Sequence, residues 1–160
     1  MSLFQLSINV RDVEESVVFY EKFLGVAPAK HRPGYANFVV TDPPLKLILI
    51  EGEGEPGTIN HVGIQVADTA AVVAETQRIA GIGLPFKVDD THTCCFATQD
   101  KVWSEDPNGV PWEVYTVLAD SPTFFADAAP AAAAAAADAE IPETADGGSS
   151  TTQPATAACC

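Results

Sequence analysis

Cys94 and Cys95 stand side by side between His92 and the run Phe96-Ala97-Thr98-Gln99-Asp100-Lys101, in a chain that also carries Gln5, His61 and Glu113 at near-even spacing. Consecutive alpha carbons lie about 3.8 Å apart, closer than the roughly 4.4 to 6.8 Å that disulfides usually span, so adjacent cysteines are poor staples for each other. They are better placed to share a soft centre such as Cu(I), Zn(II) or Cd(II), and by the same chemistry trivalent arsenic. The other reading is a pair of inert core cysteines, since free Cys is among the most buried residue types.

The elements that would position these residues form an internal repeat. Gln5 falls on His61 without a gap at an offset of 61 − 5 = 56, and Ile8, Val10, Asp12, Val17 and Gly25 then meet Ile64, Val66, Asp68, Val73 and Gly81. Lys22 also meets Arg78. Each copy reads as an alternating strand, an Asp at a helix start, a short helix, and a Gly where the helix stops. The strands expected to follow are Tyr35 to Thr41 and Leu45 to Glu51 in the first half. In the second they are Thr93 to Thr98, Val102 to Ser104 and Trp112 to Leu118, with Pro43-Pro44 and Asp106-Pro107-Asn108-Gly109 as turns. The fold class is therefore α+β, with two pseudo-symmetric modules, each a beta-alpha unit followed by more strands.

A pseudo-twofold arrangement brings Gln5 and His61, each opening the first strand of its half, face to face. Glu113 starts the last strand, where an inward side chain could join them. By local match (Pro44-Leu45-Lys46 with Pro111-Trp112-Glu113) its counterpart is Lys46, and an ammonium does not ligate a cation. Three donors with open positions are the arrangement of non-haem Fe(II) oxygenases, here with Gln in place of one His. An amide oxygen is a weaker donor than imidazole, which predicts modest affinity, and Fe(II), Mn(II), Ni(II) and Zn(II) all remain open. Glu51 falls on the opposite strand face from Lys46 and reads as solvated. His31 is a weak candidate. His92 is read as a loop residue or as a group that lowers a neighbouring thiol pKa.

The chain has 160 residues, enough for one domain with a hydrophobic core and an appendage. The boundary is expected at residue 118. Residues 119–160 hold Asp120, Asp127, Asp138, Glu140, Glu143 and Asp146 with no Lys or Arg, which leaves 22 − 6 = 16 acids and 8 bases before them. This Ala-rich acidic stretch lacks the apolar surface to offset ordering entropy and is expected to be disordered. A net charge of −14 argues against nucleic acid or an anionic membrane as partner. No signal-like or bilayer-length apolar run is seen, and the paired cysteines do not follow a secreted disulfide framework, so a cytoplasmic protein is expected.

The paired modules, the strand-opening Gln5 and His61 and the turn leading to Glu113 resemble the vicinal-oxygen-chelate superfamily of glyoxalase and bleomycin-resistance proteins, which implies two pseudo-symmetric βαβββ modules forming a half-barrel. Three stretches are more specific: Arg32-Pro33-Gly34-Tyr35-Ala36-Asn37-Phe38, Pro43-Pro44-Leu45-Lys46-Leu47, and above all Thr93-Cys94-Cys95-Phe96-Ala97-Thr98-Gln99-Asp100-Lys101-Val102-Trp103. These look like the organoarsenical carbon-arsenic lyases and the closely similar cadmium-induced proteins, over residues 3 to about 121.

The resemblance implies an Fe(II)-dependent enzyme that uses molecular oxygen to break the bond between carbon and trivalent arsenic in methyl or aromatic arsenicals. Cys94 and Cys95 would hold the arsenic, and Gln5, His61 and Glu113 the iron. A competing expectation is a cadmium-induced protein that binds soft metal and catalyses nothing. A glyoxalase-like or antibiotic-sequestering protein ranks last, because the usual four-ligand pattern fails at Lys46. The second pair, Cys159-Cys160, is a candidate accessory arsenic-capture site, on a tail whose random-coil reach is roughly 35 Å. The site is expected to form within one chain, as a monomer or in a homodimer.

Overall fold

The structure, a computed structural model, describes residues 2–123. The ordered chain passes the boundary expected at residue 118, since β8 runs on to Asp120 and Ser121 N donates to Phe96 O; the rest of the expected tail, with its Cys159-Cys160 pair, lies outside the described residues. Ten elements follow in order: β1 (Leu3–Val10), α1 (Val13–Leu24), β2 (Lys30–Arg32), β3 (Tyr35–Thr41), β4 (Pro44–Glu51), β5 (Ile59–Gln65), α2 (Thr69–Gly81), β6 (Lys87–Cys94), β7 (Ala97–Glu105) and β8 (Pro111–Asp120). The strands form one curled eight-stranded sheet in the order β2-β3-β4-β1-β5-β8-β7-β6. This is the half-barrel of two βαβββ modules that the family resemblance implies.

The pseudo-twofold axis falls between β1 and β5, which pair antiparallel with Gln5 opposite Gly63 and Ser7 opposite His61. Those two pairs exchange under the 56-residue shift. On either side, β1 lies parallel to β4 and β5 parallel to β8. Two central strands therefore bring Gln5 and His61 together from different halves of the chain, as the repeat predicts.

Both helices start where the repeated aspartates fall. Asp12 accepts a hydrogen bond from Glu15 N at 2.8 Å and Asp68 from Ala71 N at 2.9 Å, satisfying amides that a helix start leaves unpaired. Gly25 ends α1 in the left-handed region, at φ 70°. Its counterpart behaves differently: Gly81 is still helical, and the left-handed residue is Gly83, at φ 76°.

Strand alternation divides the core in two. Leu47 and Leu49 turn outward and pack with Val13, Val17, Ala36 and Phe38 beneath α1, while Val72, Ile79 and Val102 pack beneath α2. Ile48 and Ile50 turn inward and cluster with Tyr35, Cys94 and Cys95. The cysteines are thus core residues of the concave face. Glu51 is exposed on the opposite face from Lys46, as expected, and its carboxylate also accepts from Val13 N at 3.0 Å.

Two expected elements are corrected. The string Thr93 to Thr98 is not one strand: β6 ends at Cys94, β7 starts at Ala97, and Cys95 and Phe96 form the hairpin turn at φ 54° and 61°. Such a turn usually carries Asn or Gly, which tolerate positive φ, and none is present here. His92 is a strand residue paired with Gln99, not a loop residue.

Candidate functional site

The inward side chains of β1, β5 and β8 meet in the middle of the concave face. Gln5, His61 and Glu113 are 2%, 0% and 2% exposed, a burial that an amide, an imidazole and a carboxylate tolerate only when partnered. Gln5 Nε2 donates to Glu113 Oε1 at 2.7 Å and lies 3.1 Å from His61 Nε2, and His61 Nε2 is 3.5 Å from Glu113 Oε1. All three come from the same chain. Among the described residues no three His, Cys, Asp or Glu side chains cluster, so any centre here depends on the glutamine.

Neighbours set the state of each member. Asn60 Oδ1 lies 2.7 Å from His61 Nδ1, and since an amide oxygen only accepts, Nδ1 carries the hydrogen and Nε2 keeps its lone pair for the cavity. Asn60 is held in turn by Asn9, through Nδ2 to Oδ1 at 2.9 Å. Ser7 Oγ donates to His61 Nε2 at 2.8 Å. Burial opposes ionisation of Glu113, but the Lys101 ammonium, 3.1 Å from Oε2, outweighs it and holds the carboxyl at about 2. Burial, reinforced by the Glu113 charge, pushes the Tyr115 hydroxyl far up, so it remains a hydrogen-bond donor. Burial also pulls the Lys46 ammonium down, against the attraction of Glu113.

The geometry fits a divalent cation. Two donors at right angles on a metal with bonds of about 2.1 Å lie roughly 3.0 Å apart, and the three closest separations in the triad bracket that value. Gly63 keeps the space open, because a Cβ there would sit 3.0 Å from Gln5 Nε2 and 3.1 Å from Glu113 Oε1. With its amide reversed, Gln5 presents Oε1 beside His61 Nε2 and Glu113 Oε1, a mixed nitrogen and oxygen donor set suited to a first-row divalent ion.

The sheet register corrects the place of Lys46. Ser7 pairs with Ile48 and Gly63 with Glu113. Ser7 and Gly63 are equivalent (63 − 7 = 56), so the counterpart of Glu113 is Ile48. The three-donor count is unchanged, but the fourth place holds an apolar side chain, 2% exposed, packed with Cys94 and Cys95.

Cys94 Sγ and Cys95 Sγ are 3.1 Å apart, beyond the roughly 2.05 Å of a disulfide bond. Two thiolates at right angles on one soft centre lie roughly 3.3 Å apart for bonds of about 2.3 Å, so the pair is already near a bidentate geometry. Left-handed backbone at two residues that are not glycine costs about 1 to 2 kcal/mol each, and it occurs at Cys95 and Phe96. The turn is held by Phe96 O, which accepts from Lys30 Nζ and Ser121 N, both at 2.9 Å.

Cys95 and the triad open on one cavity of about 320 Å³, lined by Gln5, His61, Glu113 and Cys95 with Ile48 and Gln99 among the walls. Gln99 Oε1 is buried without a hydrogen-bond partner, an acceptor available to a ligand. His31 sits apart, bonded to Glu14 at 2.9 Å. Sequence reasoning missed Lys101, Tyr115, Ser7, Asn60 and Gln99 as supports. A signal for Tyr115 was present: it lies two residues from Glu113, on the same strand face.

The two βαβββ modules around one concave site define the vicinal-oxygen-chelate class, and the sequence profile of the Glyoxalase/Bleomycin resistance protein/Dioxygenase superfamily matches residues 2–114. The chain belongs to that superfamily. It is 52% identical over 124 residues to the cadmium-induced protein CadI of Mycobacterium tuberculosis (strain ATCC 25618 / H37Rv), covering 78% of this chain and 82% of that protein. It is 49% identical over 125 residues to the trivalent organoarsenical cleaving enzyme of Thermomonospora curvata, covering 78% and 83%. Among solved structures, the 2,3-dioxygenase LapB from Pseudomonas sp. KL28 shares the fold with a TM-score of 0.57 at 21% identity, over 73% of this chain and 41% of that one. No helix among the described residues is long and apolar enough to cross a membrane.

Proposed function

We propose that this protein cleaves the carbon-arsenic bond of trivalent methyl or aromatic arsenicals, using Fe(II) and molecular oxygen, and releases arsenite. One observation supports the reading above the others: Cys95, with Cys94 Sγ 3.1 Å from its own sulfur, lines the same cavity as Gln5, His61 and Glu113. The 49% identity to an organoarsenical cleaving enzyme supports the substrate class.

The roles follow from the side chains. Cys94 and Cys95 exchange their thiol hydrogens for bonds to arsenic, displacing two hydroxyl groups as two waters. Arsenic then keeps only its bond to carbon as the third. Seated this way, the organic group projects into the cavity, and an encounter becomes an oriented reaction. Gln5, His61 and Glu113 would hold Fe(II), which supplies open positions and redox capacity for using oxygen.

Lys101 keeps Glu113 ionised and Asn60 keeps the His61 lone pair turned inward. Ile48 and Tyr35 exclude water from the organic group. A volume of about 320 Å³ admits an aryl group as well as a methyl, and the unpartnered Gln99 Oε1 favours an organic group that carries an N–H or O–H.

The 52% identity to a protein named as cadmium-induced favours a second reading, in which the thiols bind soft metal and no bond is broken. Anaerobic loading with Fe(II), then addition of trivalent methylarsenical and oxygen with arsenic speciation followed in time, separates the two. Arsenite formed only when both iron and oxygen are present is the result expected of the lyase. No arsenite, with tight binding of Cd(II) or arsenical at Cys94 and Cys95, would establish the second reading.

A further inference from the structure

Gln5 is the triad member whose terminal group ends in two different elements, nitrogen and oxygen, so its value as a ligand depends on how its amide is turned. In the structure the nitrogen faces the triad, donating to Glu113 Oε1 at 2.7 Å, and Oε1 faces away, accepting from Tyr115 OH at 2.6 Å. An amide nitrogen shares its lone pair with the carbonyl and gives little to a cation, whereas the oxygen has two lone pairs. A cation at the triad therefore needs the opposite orientation.

The surroundings of Tyr115 allow that reversal while keeping the Tyr115 hydroxyl and the Gln5 amide hydrogen-bonded to each other. Its hydroxyl has one hydrogen to donate and two lone pairs to fill. Gln5 Oε1 lies at 2.6 Å and Gln65 Oε1 at 3.1 Å, two acceptors for a single hydrogen, while Lys46 Nζ donates to the same oxygen at 3.1 Å. With the amide as it stands, the hydrogen serves Gln5. With the amide reversed, Gln5 Nε2 donates to the Tyr115 oxygen beside Lys46, both lone pairs are used, and the hydroxyl hydrogen turns to Gln65 Oε1. Tyr115 is 0% exposed, so water does not substitute for either partner.

We propose that Tyr115 is a positioning residue for the metal centre: by turning its hydroxyl from Gln5 to Gln65, with Lys46 as a fixed donor, it stabilises the orientation of the Gln5 amide that binds a cation. The inference rests on the triad being a metal centre and is independent of the arsenical. It is specific to an amide at position 5, since an imidazole there has no carbonyl to turn.

The test is the affinity for Mn(II), measured by competition with a chromophoric chelator, on the full-length protein and four variants whose folding is checked by thermal melting. Loss of a partner that orients a ligand typically lowers metal affinity about 10- to 100-fold, and Tyr115→Phe is expected to fall in that range. Gln65→Leu, which leaves the hydroxyl hydrogen only Gln5 to serve, is expected to weaken binding in the same direction. Gln5→His is expected to bind at least as tightly as the original protein, and adding Tyr115→Phe to it should cost less than about threefold, the signature of a coupling carried by the amide. Equal losses from Tyr115→Phe in the original protein and in the Gln5→His variant would overturn the proposal and leave Tyr115 a structural role. No loss in Tyr115→Phe or Gln65→Leu would also overturn it. Failure of the original protein to bind Mn(II) would overturn this inference together with the metal reading itself.

Discussion

Gln5 and Ile48 in the first half of the sheet hold the places that His61 and Glu113 hold in the second, yet only the second half supplies an imidazole and a carboxylate. The support differs in the same direction. His61 is fixed by Asn60 and Glu113 by Lys101, a buried ion pair, whereas Gln5 is held by Tyr115 through a hydrogen bond that either end of its amide can make. A fully symmetric pair of modules would surround a cation with four protein donors. Here the fourth place is Ile48, and the side chains packed on it include Cys94 and Cys95. The asymmetry has a chemical consequence: where the first half lacks a carboxylate, Ile48 meets the thiols that the second half brings from the β6–β7 turn.

The largest effect should come from that wall. Cys94→Ser and Cys95→Ser are each expected to abolish arsenical turnover while leaving metal content unchanged, checked by arsenic speciation and metal analysis on the same sample. Full activity in either variant would dissociate the thiols from the chemistry.

The second half should also carry an acid-sensitive share of stability that the first lacks. Glu113 is held at about 2 against a usual 4.5, so between those values the folded metal-free protein binds fewer protons than the unfolded chain. That contribution is fully present above about pH 4.5 and lost as pH falls through about 2, and it amounts to something on the order of 3 kcal/mol. Urea unfolding at stepped pH should show this slope, and Glu113→Gln should flatten it. Because Glu113→Gln leaves the Lys101 ammonium buried without its carboxylate, the variant should also be less stable at neutral pH.

Restoring the symmetry is a more delicate experiment. Ile48→Glu adds a donor where the register places the counterpart of Glu113, and metal affinity is expected to rise about tenfold with the added charge. Arsenical turnover should fall in parallel, because the wall against Cys94 and Cys95 is lost. Unchanged affinity would break the equivalence drawn between the two positions.

The smallest difference compares Gly63 with its counterpart Ser7. Gly63→Ala puts a methyl 3.0 to 3.2 Å from Gln5 and Glu113 and should weaken metal binding. Ser7→Ala removes one hydrogen bond to an atom that would turn to the metal, and should change affinity less.

How much of this was legible in the residues follows from the same contrast. Gln5 and His61 could be found because the 56-residue repeat maps directly onto a pseudo-twofold axis, and a central antiparallel pair of strands converts sequence equivalence into contact; Glu113 could be found from the turn that precedes it at the start of the last strand. Capping by Asp12 and Asp68 was legible because the N-cap preference acts locally. The place of Ile48 was not, since the likeness of Pro44-Leu45-Lys46 to Pro111-Trp112-Glu113 points two residues away, and only the pairing of β4 with β1 fixes the register. The turn at Cys95-Phe96 was hidden because its residues suit a strand and carry no turn signal. What forces the chain round there is the alignment of β6 on β7 and the anchoring of Phe96 O by Lys30 and Ser121. Lys101 and Tyr115 were overlooked for a related reason: their partners, Glu113 and Gln5, lie 12 and 110 residues away.

The central claim is that the three-donor centre and the two thiols serve one cavity, on opposite sides of one substrate. A crystal structure of the Mn(II)-loaded protein soaked anaerobically with trivalent phenylarsenical tests it most directly. The account predicts arsenic bonded to Cys94 Sγ and Cys95 Sγ, the phenyl ring against Ile48, and the metal on Gln5, His61 and Glu113. Arsenic bound at the triad itself, or held by the cysteines with its ring outside the cavity, would contradict it.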